Sequence, residues 1–390
     1  MQNLRESILS EPLVEKVLNA GREVFLVGGY LRDLLRGVRS RDIDFVVRGD
    51  VKRVLSEVLR DLDGTVVEFR EFLMVRAVVQ DYTLDFTELK GALEDDLFRR
   101  DFSINAIAWS AEKGIIDPLK AIRDIEKGVI RAVCEKNFVD DPLRLLRAYR
   151  FSGELGWRID RKTRKMIRKL KDSIKQSAPE RITLEIIKLL NSDGHLRALK
   201  QAHRDGLLGT LLSIDRDRLE ANIKVLSRFN SFLKKLPEEW RVRLDKTVTQ
   251  GLSFGGLLRA EQLLYGSDLE RNRLSLSRAI IKRLEGTSTL LSIYEENRNI
   301  DDVLIFDLFT KAGDAVMDLA LLTRSQRILK KAEHFLRISP VLSTAKIMDI
   351  TGIAPGPELG RVLHEIKKLQ FLGKVKDEKD ARKWLHDRSN

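Results

Sequence analysis

Asp42 and Asp44 stand two residues apart in the run Asp42-Ile43-Asp44-Phe45-Val46-Val47, and that spacing carries chemistry. Alternate side chains of a strand share a face, so the two carboxylates stand together while Ile43 and Phe45 pack behind them. Neighbouring carboxylates repel unless a cation lies between them. Oxygen donors suit Mg²⁺, which keeps several waters and takes further ligands from substrate phosphates. Upstream, Gly28-Gly29 interrupts the apolar run Val24 to Val27, and Leu31, Leu34 and Leu35 then recur at helical spacing. Paired glycines let the backbone approach phosphates closely. Their amides and the following helix N-terminus offer positive partial charge to an anion, and Arg32 adds a guanidinium for a phosphate oxygen. Taken singly, an Asp-x-Asp is a solvated strand face and a Gly-Gly a turn. In the order strand, Gly-Gly, Arg-Asp helix, Asp-x-Asp strand they describe a site for a nucleoside triphosphate and a divalent metal, aimed at nucleotidyl transfer.

The stretch GGYLRDLLRGVRSRDID resembles the signature of the polymerase-β-like nucleotidyltransferases, specifically the class II tRNA nucleotidyltransferase and bacterial poly(A) polymerase family. The resemblance implies an α+β chain, with a palm of mixed sheet and helices followed by an all-α neck, body and tail. We expect a catalytic head over 1–136, a nucleobase-recognising neck over 137–198, a helical body over 199–310 and a tRNA-binding tail over 311–390. Gly28, Gly29, Arg32 and Asp33 then position the triphosphate. Asp42 and Asp44 hold two Mg²⁺ ions, and Asp85, on the strand Tyr82 to Phe86, is a candidate third carboxylate.

Two further motifs extend the resemblance. Leu93 to Ala108, LEDDLFRRDFSINAIA, is similar to the family's RRDFTINA motif. By that likeness Arg100 and Asp101 read the ribose hydroxyls and Asn105 holds the motif; a carboxylate accepting from a 2′-OH is one way to reject deoxyribose. In VDDPLRLLRAYRFSGELGW, Asp141-Pro142 reads as an N-cap and first helical residue. Arg144, Arg147 and Arg150 form a basic stripe, while Leu145, Leu146 and Phe151 serve the core. The segment resembles the family's EDxxR motif, with Asp140 in place of the glutamate, and implies that Asp141 and Arg144 template the incoming base. An arginine donating to a ring nitrogen and an aspartate accepting from an exocyclic amine suit adenine and cytosine alike. Glu180 to Lys188 resembles the next motif and reads as mainly structural, closing the pocket from behind.

The family's complete CCA builders carry a longer segment before the RRD motif, where only Glu88-Leu89-Lys90-Gly91-Ala92 stands here. That implies an enzyme doing part of the job. A lost loop marks mostly CC-adding members, yet the general look of the chain is closest to the A-adding enzymes, which makes ATP the expected substrate and CTP the alternative. In the tail, IAPGPELGRVL resembles the C-terminal region of the class II enzymes. Gly356 and Gly360, before and within a helix start, with Lys346 and Arg361 nearby, read as a phosphate cradle.

The elements around these motifs follow from periodicity. Residues 1–22 read as one amphipathic helix ending at Gly21, and Val51 to Leu62 as another. Thr65 to Val79 reads as short strands. From Asn137 onward the spacing is helical, with no convincing strand, and Arg158 to Lys171 reads as a dense basic helix.

Bulk composition bounds the function. The chain has 390 residues, 43% hydrophobic and 33% charged, enough for two or more domains. No apolar run approaches the ~20 residues of a membrane helix, and the charged start is no secretory signal. A single Cys134 makes neither an intrachain disulfide nor a zinc cluster, and no disulfide-linked partner is expected. The setting expected is cytoplasmic. The five histidines, from His195 to His386, lie outside the head.

Residues 1–135 hold 21 Lys and Arg against 25 Asp and Glu, a net −4 within a chain of +12 overall, so the remainder carries +16. An acidic head on a basic remainder suits a long polyanion such as tRNA, gripped at its acceptor and T arms and extended at its 3′ end. A poly(A) polymerase, and a non-catalytic RNA-binding protein, are the rival readings.

Overall fold

A computed structural model describes residues 2–20, 23–69, 74–297 and 300–389. The chain divides into two compact units: residues 1–213 with 271–275, and residues 214–270 with 276–390.

The first unit is built on a seven-stranded mixed sheet. Its strands are β1 (Val24–Val27), β2 (Asp42–Val47), β3 (Gly64–Phe69), β4 (Met74–Val79), β5 (Tyr82–Glu88), β6 (Ala108–Ser110) and β7 (Gly114–Ile116), in the order β3-β4-β5-β2-β1-β6-β7. All neighbours run antiparallel except β2 and β5, which are parallel. The two faces of the sheet carry separate cores. Ile43, Phe45 and Val47 of β2 join Leu26, Leu84 and Phe86 on one side, with the helix Val51–Leu59. Phe45 and Phe86, opposite each other, stack at 5.3 Å. On the other side Val46 joins Phe25, Val27, Leu93, Leu97 and Ala106. The period-2 reading of β2 therefore holds: Asp42 and Asp44 share their face with Val46, at the end of the strand where that core gives way to solvent.

The expected single N-terminal helix is two, Gln2–Leu9 and Pro12–Asn19. Pro12 begins the second helix, where its missing N–H costs nothing. Gly21 lies outside the described residues. Past the sheet, this unit continues through the helices Lys136–Asp140, Leu143–Leu155, Arg161–Leu170, Pro179–Asn191, His195–Arg204 and Leu207–Leu211. The basic segment gives up its first residues to a short strand, since Arg158–Ile159 pairs with Val129–Ile130.

Among its described residues the second unit is helical apart from the small hairpin Thr247–Thr249 and Leu252–Ser253. Phe306, Phe309, Phe335 and Phe371 pack ring to ring within it. The tail has its own core around Ile347, Val362 and Leu385. Among the described residues no helix is long and apolar enough to cross a membrane.

Candidate active site

A cavity of about 670 Å³ opens in the first unit, lined by Gly29, Arg32, Asp42, Asp44 and Asp85 from the sheet side and by Arg100, Asp101, Asn105, Asp141, Arg144 and Arg147 from the following segments. β1 ends at Val27 and is followed by Gly28, whose amide donates to the Ile107 carbonyl (3.1 Å) and whose φ is +76°. A Cβ at Gly28 would stand 2.8 Å from Arg100 Nη1 and 3.1 Å from Asp44 Oδ2. The glycine is thus required twice over, by its backbone conformation and by the close approach of two charged groups. Gly28→Ala is expected to lower nucleotide transfer by about 10- to 100-fold and stability by about 1–3 kcal/mol. Single-turnover kinetics and thermal unfolding check both, and unaltered values in each would show that the close approach is unimportant.

Asp42, Asp44 and Asp85 stand at the rim of the sheet, with Asp44 directly opposite Asp85 across the parallel pair. The Asp44 carboxyl is pushed up, first by burial and then by the charges of Asp85 and Asp42, against the opposing pull of Arg100 and Arg32. Repulsion of this kind is what a divalent cation relieves, so the donor set fits Mg²⁺ completed by substrate oxygens. Among the described residues no three carboxylate, histidine or cysteine side chains converge on one cation position. Asp85 is instead held by Arg76, whose Nε and Nη2 donate to its two oxygens at 2.7 Å each.

The remaining expected residues form one continuous polar network. Arg32 donates from Nη1 to Asn105 Oδ1 (2.7 Å), and from Nε and Nη2 to Asp33. Asn105 Nδ2 donates to Asp101 Oδ1 (2.9 Å), and Arg147 Nε donates to Asp101 Oδ2 (2.8 Å). Burial would raise the Asp101 carboxyl. The Arg147 guanidinium, with hydrogen bonds from Asn105, Arg147 and the Phe102 amide, outweighs it and holds the group at about 2. Glu185 accepts from Arg147 and Arg150, which also reaches Glu154. Phe151 lies under three guanidinium groups, the nearest that of Arg150 at 3.6 Å. At the far wall, Arg181 donates to both oxygens of Asp141 (3.1 and 3.4 Å), and Arg144 Nη1 donates to the Arg99 carbonyl.

Several expected roles change in this geometry. Asp33 does not line the cavity; it accepts from Arg32 and Arg36. Arg150 is buried against Glu185 and Glu154 rather than facing the cavity, because six residues along a helix is about 240° of rotation. Arg32 and Asp101 reach the cavity but are already engaged with protein partners, so they brace it as well as line it. Asp141 accepts from the Leu143 amide (3.3 Å) but stands before Pro142, the residue that precedes the helix Leu143–Leu155. Arg76, Thr83, Phe151, Arg181 and Lys188 also line the cavity and were not expected there. Phe151 read as core, and Arg181 and Lys188 sat in a motif read as structural. The i, i+7 spacing of those two, on one face of a helix, was the available signal.

In the second unit, Lys346 pairs with Glu378, and Gly360 lies inside the helix Pro357–Phe371 that follows Gly356. Arg361 lines a separate cavity of about 540 Å³ with His364, Trp384 and Arg388. Arg164 and Arg168 of the basic helix in the first unit are spent on Asp205, each at 2.8–2.9 Å.

Comparison with known proteins follows the same outline. Residues 24–92 and 86–131 match the poly A polymerase head domain, and residues 156–214 match the probable RNA and SrmB-binding site of polymerase A. The chain is 28% identical to the CCA-adding enzyme of Leuconostoc mesenteroides, covering 97% of this chain and 95% of that one. It is 29% identical to the CC-adding tRNA nucleotidyltransferase of Synechocystis sp., covering 91% of each. Proteins named A-adding tRNA nucleotidyltransferases also match. A solved CCA-adding enzyme with CTP shares the fold at a TM-score of 0.80, with 21% identity over 99% of this chain and 98% of that one. Motif, fold and kinship agree: over nearly its whole length the chain is similar to proteins named CCA-adding and CC-adding tRNA nucleotidyltransferases.

Proposed function

We propose that this nucleotidyltransferase extends the 3′ end of tRNA without a nucleic-acid template, adding the terminal AMP from ATP. The observation that carries the reading is that one cavity is lined in sequence by Asp42 and Asp44, by Arg100 and Asp101, and by Asp141 and Arg144. These are groups suited to a metal-bound triphosphate, a ribose and a base. In the reaction the 3′-oxygen of the RNA attacks the α-phosphorus in line, a new P–O bond forms and the α–β bridge breaks to release pyrophosphate. Mg²⁺, up to two ions on Asp42 and Asp44, supplies charge neutralisation and activation of the attacking oxygen. Gly28 and Gly29 let the phosphates come close, Arg32 offers positive charge to them, and Arg100 and Asp101 take the ribose hydroxyls. Asp141 and Arg144 present an acceptor and a donor to the base, a pattern that adenine and cytosine complement and guanine and uracil do not. Arg181 steadies the acceptor.

The choice of a single nucleotide is supported by the connector after β5. Leu89 is buried and its amide donates to the Val47 carbonyl (2.7 Å), while Arg48 Nη1 holds the Gly91 carbonyl. A connector pinned in this way leaves little room to exchange one base preference for another. The same feature favours a second reading, a CC-adding enzyme using CTP. Extension of tRNA transcripts ending before A, CA and CCA, each with labelled ATP or CTP, separates the two. Product only from the transcript lacking A, with ATP, is expected. Product only with CTP supports the second reading, equal extension of an unstructured RNA points to a poly(A) polymerase, and no product from any transcript overturns the proposal.

A further inference from the structure

Arg76, Asp85 and Asp44 stand at one level across three strands, Arg76 opposite Asp85 on the antiparallel β4-β5 pair and Asp85 opposite Asp44 on the parallel β5-β2 pair. All three line the cavity. The Arg76 guanidinium meets the Asp85 carboxylate in a two-point fork, 2.7 Å on each side, and the Asp85 side chain is only 18% exposed. A fork of this kind fixes direction as well as charge, which a lysine does not reproduce. Three acids adjoin at the sheet rim, yet among the described residues no three converge on a shared cation position.

We propose that Arg76 is a positioning residue that keeps the Asp85 carboxylate out of the cation site. The nucleotide-free chain then offers a divalent cation only Asp42 and Asp44, and holds it weakly until a nucleoside triphosphate brings the remaining oxygens. Cation and nucleotide arrive together. Affinity for a hard cation rises with the number of charged ligands and the rigidity of the site, so a third carboxylate swung into place would make the ion resident before substrate came. This inference rests on Asp42 and Asp44 being the cation-binding pair.

Mn²⁺ titration of the full-length chain without nucleotide, read by the paramagnetic resonance of the free ion, tests it independently of turnover. Arg76→Met is expected to tighten Mn²⁺ binding about tenfold through the freed carboxylate. Arg76→Lys is expected to tighten it nearly as much, because the charge survives but the fork does not. The double variant Arg76→Met with Asp85→Asn is expected to return to within about twofold of the unaltered chain. Asp42→Ala is expected to abolish binding in every background. Should Asp42→Ala leave Mn²⁺ binding intact, the cation-binding pair itself is wrong. Should Asp42→Ala act while Arg76→Met changes nothing, Arg76 loses its role and the pair stands. Unaltered binding in Arg76→Lys beside tightening in Arg76→Met overturns positioning in favour of bare charge. Thermal unfolding of each variant is measured alongside, and Arg76→Gln replaces Arg76→Met if the methionine variant does not fold.

Discussion

Replacing Asp44 with asparagine is expected to cut nucleotide transfer by about a thousandfold or more, the scale of removing a group that organises charge in a transition state. The same change is expected to leave the fold intact or slightly firmer. The Asp44 carboxyl is pushed up by burial, then by Asp85 and Asp42, with Arg100 and Arg32 opposing. A raised carboxyl is favoured in its neutral form by folding. Below its unfolded value, about 3.9, the group costs nothing in this respect, and the cost grows as pH rises through the folded value. Asparagine is neutral throughout. The melting temperature of the variant should therefore equal or exceed that of the unaltered chain near pH 7.5, with the difference closing toward pH 4. Scanning calorimetry across that range, beside single-turnover kinetics, reads both halves. Transfer within tenfold of normal would remove Asp44 from the chemistry, and a large fall in melting temperature would make it structural.

The opposite balance is expected at Asp205. Its side chain is 1% exposed and accepts from Tyr149, Arg164, Arg168 and Gln201. Burial raises this carboxyl, but the hydrogen bonds of Arg164, Arg168 and Tyr149 outweigh it and hold it below the usual carboxylate range. Asp205→Ala leaves the two guanidinium groups and a phenol without their acceptor. A loss of about 3–5 kcal/mol is expected, or roughly 10 °C in melting temperature for a unit of this size. A lowered carboxyl gives stability that is fully present above the unfolded value and lost as pH falls through the folded one. The gap between variant and unaltered chain should thus be constant near neutrality and shrink below about pH 4. A gap under about 1 kcal/mol at pH 7 would show the cluster to be solvent-like.

The parts of this molecule that could be read from residue order are those whose spacing alone fixes direction. Asp42 and Asp44 share a face because strand periodicity leaves no other arrangement. Val24 to Val27 reads as buried because its apolar run stops at a glycine. What escaped reading depends on register between distant segments. Arg76 meets Asp85 only because β4 pairs with β5 in one alignment, and Arg181 meets Asp141 only because the helix Pro179–Asn191 packs beside the helix Leu143–Leu155 that Asp141 precedes. Arg150 misled for a third reason. A step of three residues looks like a stripe over one turn but carries the third arginine round to Glu185. The break at Pro12 is legible, because a proline opens a helix rather than continuing one.

One detail of connectivity bears on how the catalytic unit comes into being on the ribosome. Residues 271–275 belong to the first unit although they emerge long after residue 213. Their groups finish it: Asn272 Oδ1 accepts from the Ser213 amide, the Arg273 amide donates to the Leu211 carbonyl, and the Ser275 amide donates to Thr183 Oγ1. Domains fold as units during synthesis, N-terminal first. Here the nascent first unit keeps one seam open until a much later stretch has left the exit tunnel. A fragment cut at 213 would never receive that closing piece.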